Sequence, residues 1–180
     1  VFIDLPSFPG PVQAGRLWSH FRKGRESASF EYNKEWLANP HRFALEPLLP
    51  LAAGTFHTNP GQSVFGAIGD STPDRWGRIL MRRAELARAR TANESPHTLS
   101  ELDYLLRVND EARQGALRFS QDGGQSFCAP PGSTPIPPLV NLSRLLHAAD
   151  HFCRDDENAE DLRLLLAPGS SLGGARPKAS

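Results

Sequence analysis

The sequence has few cysteines, no long apolar run and no excess of basic residues, the features that would indicate an oxidising compartment, a membrane or a polyanionic partner. Its two cysteines, Cys128 and Cys153, are too few for a disulfide framework and lie outside any metal-ligand spacing. No apolar run is long enough to cross a bilayer, and no signal-peptide pattern is present. Lys plus Arg equals Asp plus Glu at 20 each, so the overall charge favours neither nucleic acid nor an anionic membrane. We therefore expect a cytoplasmic protein with two reduced, structural thiols.

Lysine is also scarce, because only Lys23, Lys34 and Lys178 contribute to the 20 basic side chains. Hydrophobic residues make up 39% of the 180 positions. That fraction is enough for a core of moderate size, in one domain or in one domain plus part of another. The sequence begins at Val1 without Met and stops shortly after Lys178. We expect it to be a fragment of a longer protein.

Short apolar and alternating runs predict one strand and two β-hairpins. These segments are a strand at Val1–Leu5, a hairpin at Gly15–Arg22 and Ser27–Tyr32, and a second hairpin at Gly115–Ser120 and Gln125–Cys128. The first hairpin turns at Lys23-Gly24, and its Trp18 and His20 are expected on the face opposite Phe30 and Tyr32. Thr55 to Ser63 is predicted to be a loop.

Capping residues and apolar periodicity predict five helical segments. Lys34 to Ala38 forms one turn. Thr72 fits the N-cap and Pro73 the first position of a long helix that runs to about Arg90. A third helix begins with a capping box at Thr98–Glu101 and ends near Asn109. The fourth is capped by Asn141, and its apolar face comprises Leu142, Leu145, Leu146, Ala149 and Phe152. The fifth is at Glu160–Leu166.

Two charged features are interpreted as solvated surface. The long helix carries a face of six arginines: Arg75, Arg78, Arg82, Arg83, Arg88 and Arg90. After a solvated surface, a protein-docking surface is the second interpretation of this face, and a nucleic-acid-binding surface is the one with least support. The acidic run Asp155 to Glu157 is expected to be an exposed connector. His147 and His151 stand four residues apart on a predicted helix without a third ligand, which favours a surface or core role over metal binding.

The order of these elements predicts an α+β fold, with a mostly antiparallel sheet and helices packed on one side. The segment Ala129 to Pro138 contains five prolines and is interpreted as a junction. We therefore expect a first domain at residues 1–130. Residues 131–180 form a second, truncated part.

The last residues hold a pattern typical of an anion-binding loop. Ser170 and Ser171 precede Gly173 and Gly174, and Lys178 follows at a short distance. Glycines allow the backbone to approach a ligand closely, and successive N–H groups can converge on a phosphate. Taken alone, the stretch is more typical of a flexible tail than of a phosphate site.

Three segments in the same order resemble the N-terminal part of HipA-type serine/threonine kinases, the toxins of type II toxin–antitoxin operons. They are the Phe65–Gly77 stretch with its Pro-Asp-x-Trp-Gly helix start, Asn109-Asp110-Glu111 followed by Gly115–Phe119, and the glycine-rich Ser170–Lys178. The resemblance extends from about Arg16 to Ser180. It identifies residues 1–130 with the family's N-terminal α+β subdomain and residues 131–180 with the connector, a helix and the first edge of the kinase core.

The resemblance implies a kinase that uses ATP and Mg²⁺ to phosphorylate a protein target, such as an aminoacyl-tRNA synthetase, and itself. Ser171 matches the autophosphorylated serine, with its neighbour Ser170 as the alternative. The nucleotide-binding loop would comprise Leu172, Gly173, Gly174, Ala175, Arg176 and Lys178. The catalytic Asp and the Mg²⁺ ligands would lie beyond Ser180. This chain alone is therefore expected to have no catalytic residue, no metal ligand and no activity.

The implied partners are a HipB-like helix-turn-helix antitoxin and, through that antitoxin only, operator DNA; no membrane is implied. An alternative function is a non-catalytic interaction module that binds and restrains a separate HipA-like kinase. The presence of the glycine-rich stretch argues against this alternative. An unrelated α+β domain with accidental matches ranks last.

Overall fold

The computed structural model describes residues 1–110, 113–127 and 142–166, and all statements on structure below concern these residues. Within them the fold is α+β, with two three-stranded antiparallel sheets and six helices. The predicted class is confirmed. The predicted single sheet is replaced by two small ones. None of the helices in this part of the chain is long and apolar enough to cross a membrane.

The chain divides into two compact units. The first unit comprises Val1–Thr72, Ser100–Leu105 and Gln114–Cys128, and the described residues of the second lie within Pro73–Leu99, Leu106–Arg113 and Ala129–Ser180. The predicted domain boundary after residue 130 falls in a segment outside the described residues. It stays a prediction.

The larger sheet of the first unit contains the predicted first hairpin. Its strands are β3 (Gly15–Arg22) and β4 (Arg25–Tyr32), and β5 (Thr55–His57) pairs with the other edge of β4. Lys23 and Gly24 both have positive φ, 51° and 73°, which is the conformation of the hairpin turn whose twist suits the flanking strands. The hairpin prediction is therefore confirmed in its strands and in its turn.

The prediction of a loop from Thr55 is wrong for its first three residues. Phe56 pairs with Phe30 in the ladder, and its ring lies 6.3 Å from that of Tyr32. A strand of three residues is too short to show alternation. The strand is stabilised by its pairing with β4 and by its contact with buried aromatic side chains. Both interactions involve residues that are distant in sequence, so the local pattern does not reveal them.

The smaller sheet has the order β2-β1-β6, with β1 at Phe2–Ile3, β2 at Val12–Gln13 and β6 at Leu117–Arg118. The predicted second hairpin is wrong, because β6 pairs with β1 and no strand is formed at residues 125–127. The intervening loop is held by side chains instead. Gly124 N donates to Ser120 Oγ at 2.8 Å, and Ser126 N donates to Asp122 Oδ1 at 3.0 Å.

Three short helices belong wholly or in part to the first unit: α1 (Lys34–Ala38), α2 (Gly66–Gly69) and the beginning of α4 (Glu101–Arg107). Helix α1 is found as predicted. The predicted capping box of α4 is wrong: Ser100 and Asp103 form the reciprocal pair, because Ser100 N donates to Asp103 and Asp103 N donates to Ser100 Oγ.

The second unit contains α3 (Arg75–Ala92), α5 (Leu142–Cys153) and α6 (Ala159–Leu165). The N-cap of α3 is Asp74, whose Oδ1 accepts from Gly77 N at 2.9 Å, so the predicted cap at Thr72 is wrong. The hydroxyl of Thr72 donates to Gly69 O at 2.6 Å instead. Aspartate serves as well as threonine at this position, and it adds negative charge at the positive end of the helix.

Helices α5 and α6 follow their predicted positions to within a few residues. The predicted cap Asn141 lies outside the described residues. On α5 the apolar face is rotated relative to the prediction, because Leu146 is exposed and Ala148 is buried. Helix α6 begins with a capping box in which Asn158 accepts from Asp161 N and Asp161 accepts from Asn158 N.

Candidate functional site

The candidate site is the helical platform of α3, α5 and α6, because α6 leads directly into the glycine-rich stretch. Its buried cluster is formed by Trp76, Leu80, Leu145, Ala148, Phe152, Leu162 and Leu165. The rings of Trp76 and Phe152 meet edge to face, with their centroids 4.7 Å apart. Leu165, at the end of α6, is 1% exposed. The chain therefore leaves the described region from a buried and well-packed position.

An arginine clamp joins α3 to the connector between α5 and α6. Arg83 Nη1 donates to both carboxylate oxygens of Glu157 at 2.9 Å and to Phe152 O at 3.1 Å, and Nη2 donates to Asp155 at 2.6 Å. The guanidinium carbon also lies 3.9 Å above the centre of the Phe152 ring. The clamp therefore uses charge, hydrogen bonds and stacking together.

The clamp corrects two predictions. Arg83 was expected on a solvated face and Glu157 in an exposed connector, but Glu157 is only 12% exposed. The connector turns back because Asp155 has a left-handed backbone (φ 58°), which aspartate tolerates better than most residues. Burial opposes the charged form of Arg83, and the hydrogen bonds and charges of Glu157 and Asp155 outweigh it, so the pKa of Arg83 is raised.

A second ion-pair cluster surrounds Glu85, which is 2% exposed on α3. Its carboxylate accepts from Arg88 Nη2 at 2.8 Å, from Arg107 Nη2 at 3.1 Å and from the backbone N–H of His97 at 3.2 Å. The hydrogen bond from Arg88, with those from His97 and Arg107, lowers the pKa of Glu85 to about 2, against the opposing effect of burial. Glu85 is therefore a structural anion and unsuited to accept a proton at neutral pH.

The two histidines of α5 form a third cluster. His151 Nδ1 lies 3.0 Å from Asp161 Oδ2, and the rings of His147 and His151 are 4.2 Å apart. Burial opposes the charged form of Asp161, but the Asn158 backbone N–H and His151 hold the pKa of Asp161 below its usual range. Among the described residues no group of three or more His, Cys, Asp or Glu side chains is placed to hold a metal ion.

The residues predicted to bind nucleotide lie outside the described residues, as do both candidate phosphorylation sites. These are Ser170, Ser171, Leu172, Gly173, Gly174, Ala175, Arg176 and Lys178. The structure therefore brings none of them together and tests none of them. Cys128 also lies outside, whereas Cys153 is a free and exposed thiol, so its predicted structural role is wrong.

The described residues of the other two resembling segments have structural roles. Trp76 and Gly77 are buried in the first turn of α3, where Asp74 caps the helix. Leu117 and Arg118 form β6, and the neighbouring Phe119 is 3% exposed. Trp76 and Phe119 belong to the core and β6 to the smaller sheet, so the resemblance that these positions carry is a resemblance of fold.

Sequence reasoning missed the residues that stabilise the platform, Arg83 with Glu157 and Glu85 with Arg107. One signal was available: Glu85 and Arg88 are three residues apart on the same helix, a spacing at which opposite charges meet. Arg107 is 22 residues from Glu85, and no local pattern indicates that contact.

Comparison with protein families gives a match to the model described as the HipA N-terminal domain, over residues 10–120. The class defined by the α+β unit and its motifs is therefore that of HipA-type proteins. The match covers more than half of the 180 residues, and the chain belongs to the HipA N-terminal domain family. Searches of curated proteins and of solved structures gave no match.

Proposed function

We propose that the chain is the N-terminal portion of a HipA-like protein serine/threonine kinase, the toxin of a toxin–antitoxin pair. The observation that carries this proposal is the match to the HipA N-terminal domain over residues 10–120. Residues 121–180 lie beyond the match, and the glycine-rich Ser170–Lys178 stands in the order expected for the family's nucleotide loop.

The chemistry of this stretch fits the phosphates of ATP. Gly173 and Gly174 offer backbone N–H groups without a Cβ in the way, and Arg176 and Lys178 add positive charge. Phosphoryl transfer depends chiefly on alignment and on compensation of negative charge, which such groups supply. No carboxylate occurs from Ser170 to Ser180, so the Mg²⁺ ligands and the catalytic base must come from other parts of the protein.

The packing of α3, α5 and α6 supports this proposal, because these helices form a rigid base directly before the glycine-rich stretch. The chain approaches the glycine-rich stretch from Leu165, which belongs to the same buried cluster as Trp76, and the Arg83 clamp fixes the turn before α6. A loop that closes over phosphates needs a rigid base from which to close. The proposed role of these helices is to provide that base.

The proposed partners follow from the family. They are a HipB-like helix-turn-helix antitoxin, which brings the pair to operator DNA, and a protein substrate such as an aminoacyl-tRNA synthetase. The scarcity of cysteine supports a cytoplasmic location.

The test is phosphopeptide mass spectrometry on the protein isolated from its host and incubated with MgATP. We expect one phosphate on Ser171, and its loss in Ser171→Ala; phosphate on Ser170 alone would move the assignment by one residue. The purified 180-residue chain is a second test, in which we expect no ADP release above a no-protein blank. ADP release by that chain would contradict the placement of the catalytic base outside it.

A second candidate is the interaction module that restrains a separate kinase. It is favoured by one observation, that the family match covers the N-terminal domain and ends at residue 120. This candidate predicts that the chain binds a HipA-like kinase core supplied in trans and that Gly173→Ala and Lys178→Ala leave this binding unchanged. The kinase proposal predicts that the same two variants abolish phosphorylation of Ser171.

A further inference from the structure

The β3–β4 hairpin carries a local excess of positive charge that the composition of the chain conceals. From Arg16 to Arg25 the sequence contains four cations and no acidic residue, in a chain whose formal net charge is zero. We call these four residues, Arg16, Arg22, Lys23 and Arg25, the basic ribbon. All four side chains are exposed.

The nearby carboxylates do not neutralise the basic ribbon. Glu26 lies on the other face of the hairpin, where it accepts from Glu101 N at 2.9 Å and from Ser19 Oγ at 3.1 Å. Glu31 stands opposite Arg16 in the ladder and offsets the charge of that one residue, although the two form no ion pair. Within the described residues none of the four cations forms an ion pair, whereas Arg83 and Arg88 on α3 do.

Two features of the hairpin tip oppose its stability. Arg22 pairs directly with Arg25, and like charges at facing positions repel each other. Lys23 has a φ of 51°, a conformation for which asparagine or glycine is preferred. A tip selected for stability alone would place an acid opposite Arg22 and asparagine at position 23. Local rules broken together at one place are typical of a functional surface.

The shape of the hairpin fits an extended polyanion. Strand β5 pairs with β4 from Ser29 to Glu31, and Thr58 N donates one more backbone hydrogen bond to Ala28 O. Beyond Ala28 the hairpin has two strands, with α4 bonded to Glu26 on one face and the face of the cations left uncovered by a third strand. Arg16 and Arg22 are six residues apart on β3, which corresponds to about 20 Å along the strand. A two-stranded ribbon is narrow enough to enter the major groove of duplex DNA, which is about 12 Å wide.

Two aromatic side chains accompany the cations. Trp18 lies between Arg16 and His20 on the outer face of β3 and is 39% exposed, and Phe21, near the tip, is 76% exposed. Exposed aromatics next to Arg and Lys occur on surfaces that contact sugars and bases as well as phosphates. Next to the tip, Glu26 accepts hydrogen bonds from the first backbone N–H groups of α4, so the ribbon is presented on a fixed support.

We propose that the basic ribbon binds the phosphate backbone of duplex DNA, with the ribbon tip in the major groove. The line of cations matches a line of phosphates, each strand of which has one charge per about 3.4 Å of axis. Arginine, which supplies three of the four cations, suits phosphate through its paired donors. This contact is direct and does not depend on the kinase proposal or on a DNA-binding partner.

The first measurement is binding of the purified chain to a fluorescent 24-base-pair duplex of mixed sequence, followed by anisotropy at increasing salt. We expect the logarithm of the association constant to fall against the logarithm of salt concentration with a slope of about −3 to −4, as four phosphate contacts require. A parallel readout uses Trp18. The other two tryptophans, Trp36 and Trp76, are 0% and 4% exposed, so acrylamide quenching reports on Trp18, and the duplex should reduce it.

The decisive variant is Arg25→Glu. It places an acid opposite Arg22, so the hairpin should be retained while the basic ribbon loses two units of charge. We expect the affinity for the duplex to fall about tenfold or more, with a slope smaller by about 2. The matched control is Arg75→Glu, which makes the same change in net charge at the first residue of α3, where an acid suits the helix. Urea unfolding of both variants verifies that they are folded.

Equal losses of affinity in Arg25→Glu and Arg75→Glu would assign binding to net charge alone and overturn the proposal. Two further ligands test the nature of the partner. Binding of poly-glutamate as tight as that of the duplex would assign the basic ribbon to an acidic protein. Tighter binding to phosphatidylserine vesicles would assign it to a membrane surface. Either outcome would overturn the assignment to DNA.

Discussion

In helix α3 the guanidinium groups of Arg83 and Arg88 are held by carboxylates, whereas the arginines of the β3–β4 hairpin have no such partner among the described residues. The two regions have similar sequences in one respect, since both are rich in arginine and exposed in part. Their use of that charge differs. On α3, Arg83 and Arg88 use it to stabilise the second unit, whereas we propose that on the hairpin it serves a ligand.

The difference shows that arginine content does not by itself indicate an interface. A count of basic residues selects α3, with six arginines on one predicted face, as the more probable docking surface. The distribution of acids reverses the order. Glu85, Asp155 and Glu157 meet arginines of α3, while the acid next to the hairpin tip, Glu26, is turned toward helix α4. Partner binding is therefore expected where opposite charge is missing.

The largest expected effect comes from Glu85→Gln, which leaves the charges of Arg88 and Arg107 without their buried anion. Removing one partner of such a cluster costs about 3 kcal/mol of unfolding free energy, the lower end of the usual range because both arginines are 40–50% exposed. Urea unfolding at pH 7 measures this change. The control is Glu94→Gln. Glu94 is another partner of Arg88 and is 60% exposed, so this substitution should lower the unfolding free energy by only about 0.5 kcal/mol. Similar losses in the two variants would contradict a structural role for Glu85.

The same cluster predicts a pH dependence. The pKa of Glu85 is lowered from 4.5 to about 2 on folding, so its contribution is fully present above about pH 4.5 and is lost as the pH falls toward 2. The stability difference between the unchanged chain and Glu85→Gln should therefore be about 2 kcal/mol smaller at pH 3 than at pH 7. Urea unfolding at both values measures it, with Glu94→Gln as the reference. A difference that does not change with pH would mean that Glu85 does not titrate as the geometry requires.

A smaller effect is expected for Arg83→Ala. The substitution removes the hydrogen bonds to Glu157 and Phe152 O and the stacking on the Phe152 ring, and it leaves Glu157 largely buried without a cation. We expect a loss of about 1.5 kcal/mol, because Asp155 and part of Arg83 already face water. Arg82→Ala, at the exposed neighbouring position, is the matched control and should change stability by less than about 0.5 kcal/mol. Thermal unfolding measures the stability of both variants. Equal losses of stability in Arg83→Ala and Arg82→Ala would contradict a stabilising role for the clamp.

Local patterns account for the parts of the fold that the sequence predicts. The first hairpin is predicted because alternation and the Lys23-Gly24 turn are both contained in 18 residues. The start of α3 is missed by two residues because Thr72 and Asp74 are both good caps, and only the observed hydrogen bond to Gly77 separates them. A strand containing β6 is predicted, but its pairing is wrong because its partner, β1, lies more than 110 residues earlier.

The site was predicted in the same uneven way. The glycine-rich stretch is a local pattern. Its interpretation as a nucleotide loop depends on two other segments that occur in the order expected for HipA-type proteins. The Arg83 clamp needs the chain to reverse at Asp155, and the Arg107–Glu85 pair joins residues 22 apart. Both arise from packing of helices, which periodicity does not specify. The basic ribbon was not predicted, although its four cations are close together in the sequence. Its meaning depended on the structure, which shows where Glu26 is directed.

The smallest expected effect tests whether the hairpin tip is adapted to binding at the expense of stability. Lys23→Asn gives the left-handed position a residue that favours it and removes one charge from the basic ribbon. We expect the unfolding free energy to rise by about 0.5 kcal/mol, since asparagine enters this conformation more readily than lysine. The salt slope for duplex binding should decrease by about 1. Lys34→Asn, at the exposed first position of α1, removes the same charge outside the hairpin and should leave the slope unchanged. If Lys23→Asn were less stable and bound duplex with an unchanged slope, Lys23 would serve the fold, and the contrast between the hairpin and α3 would not hold.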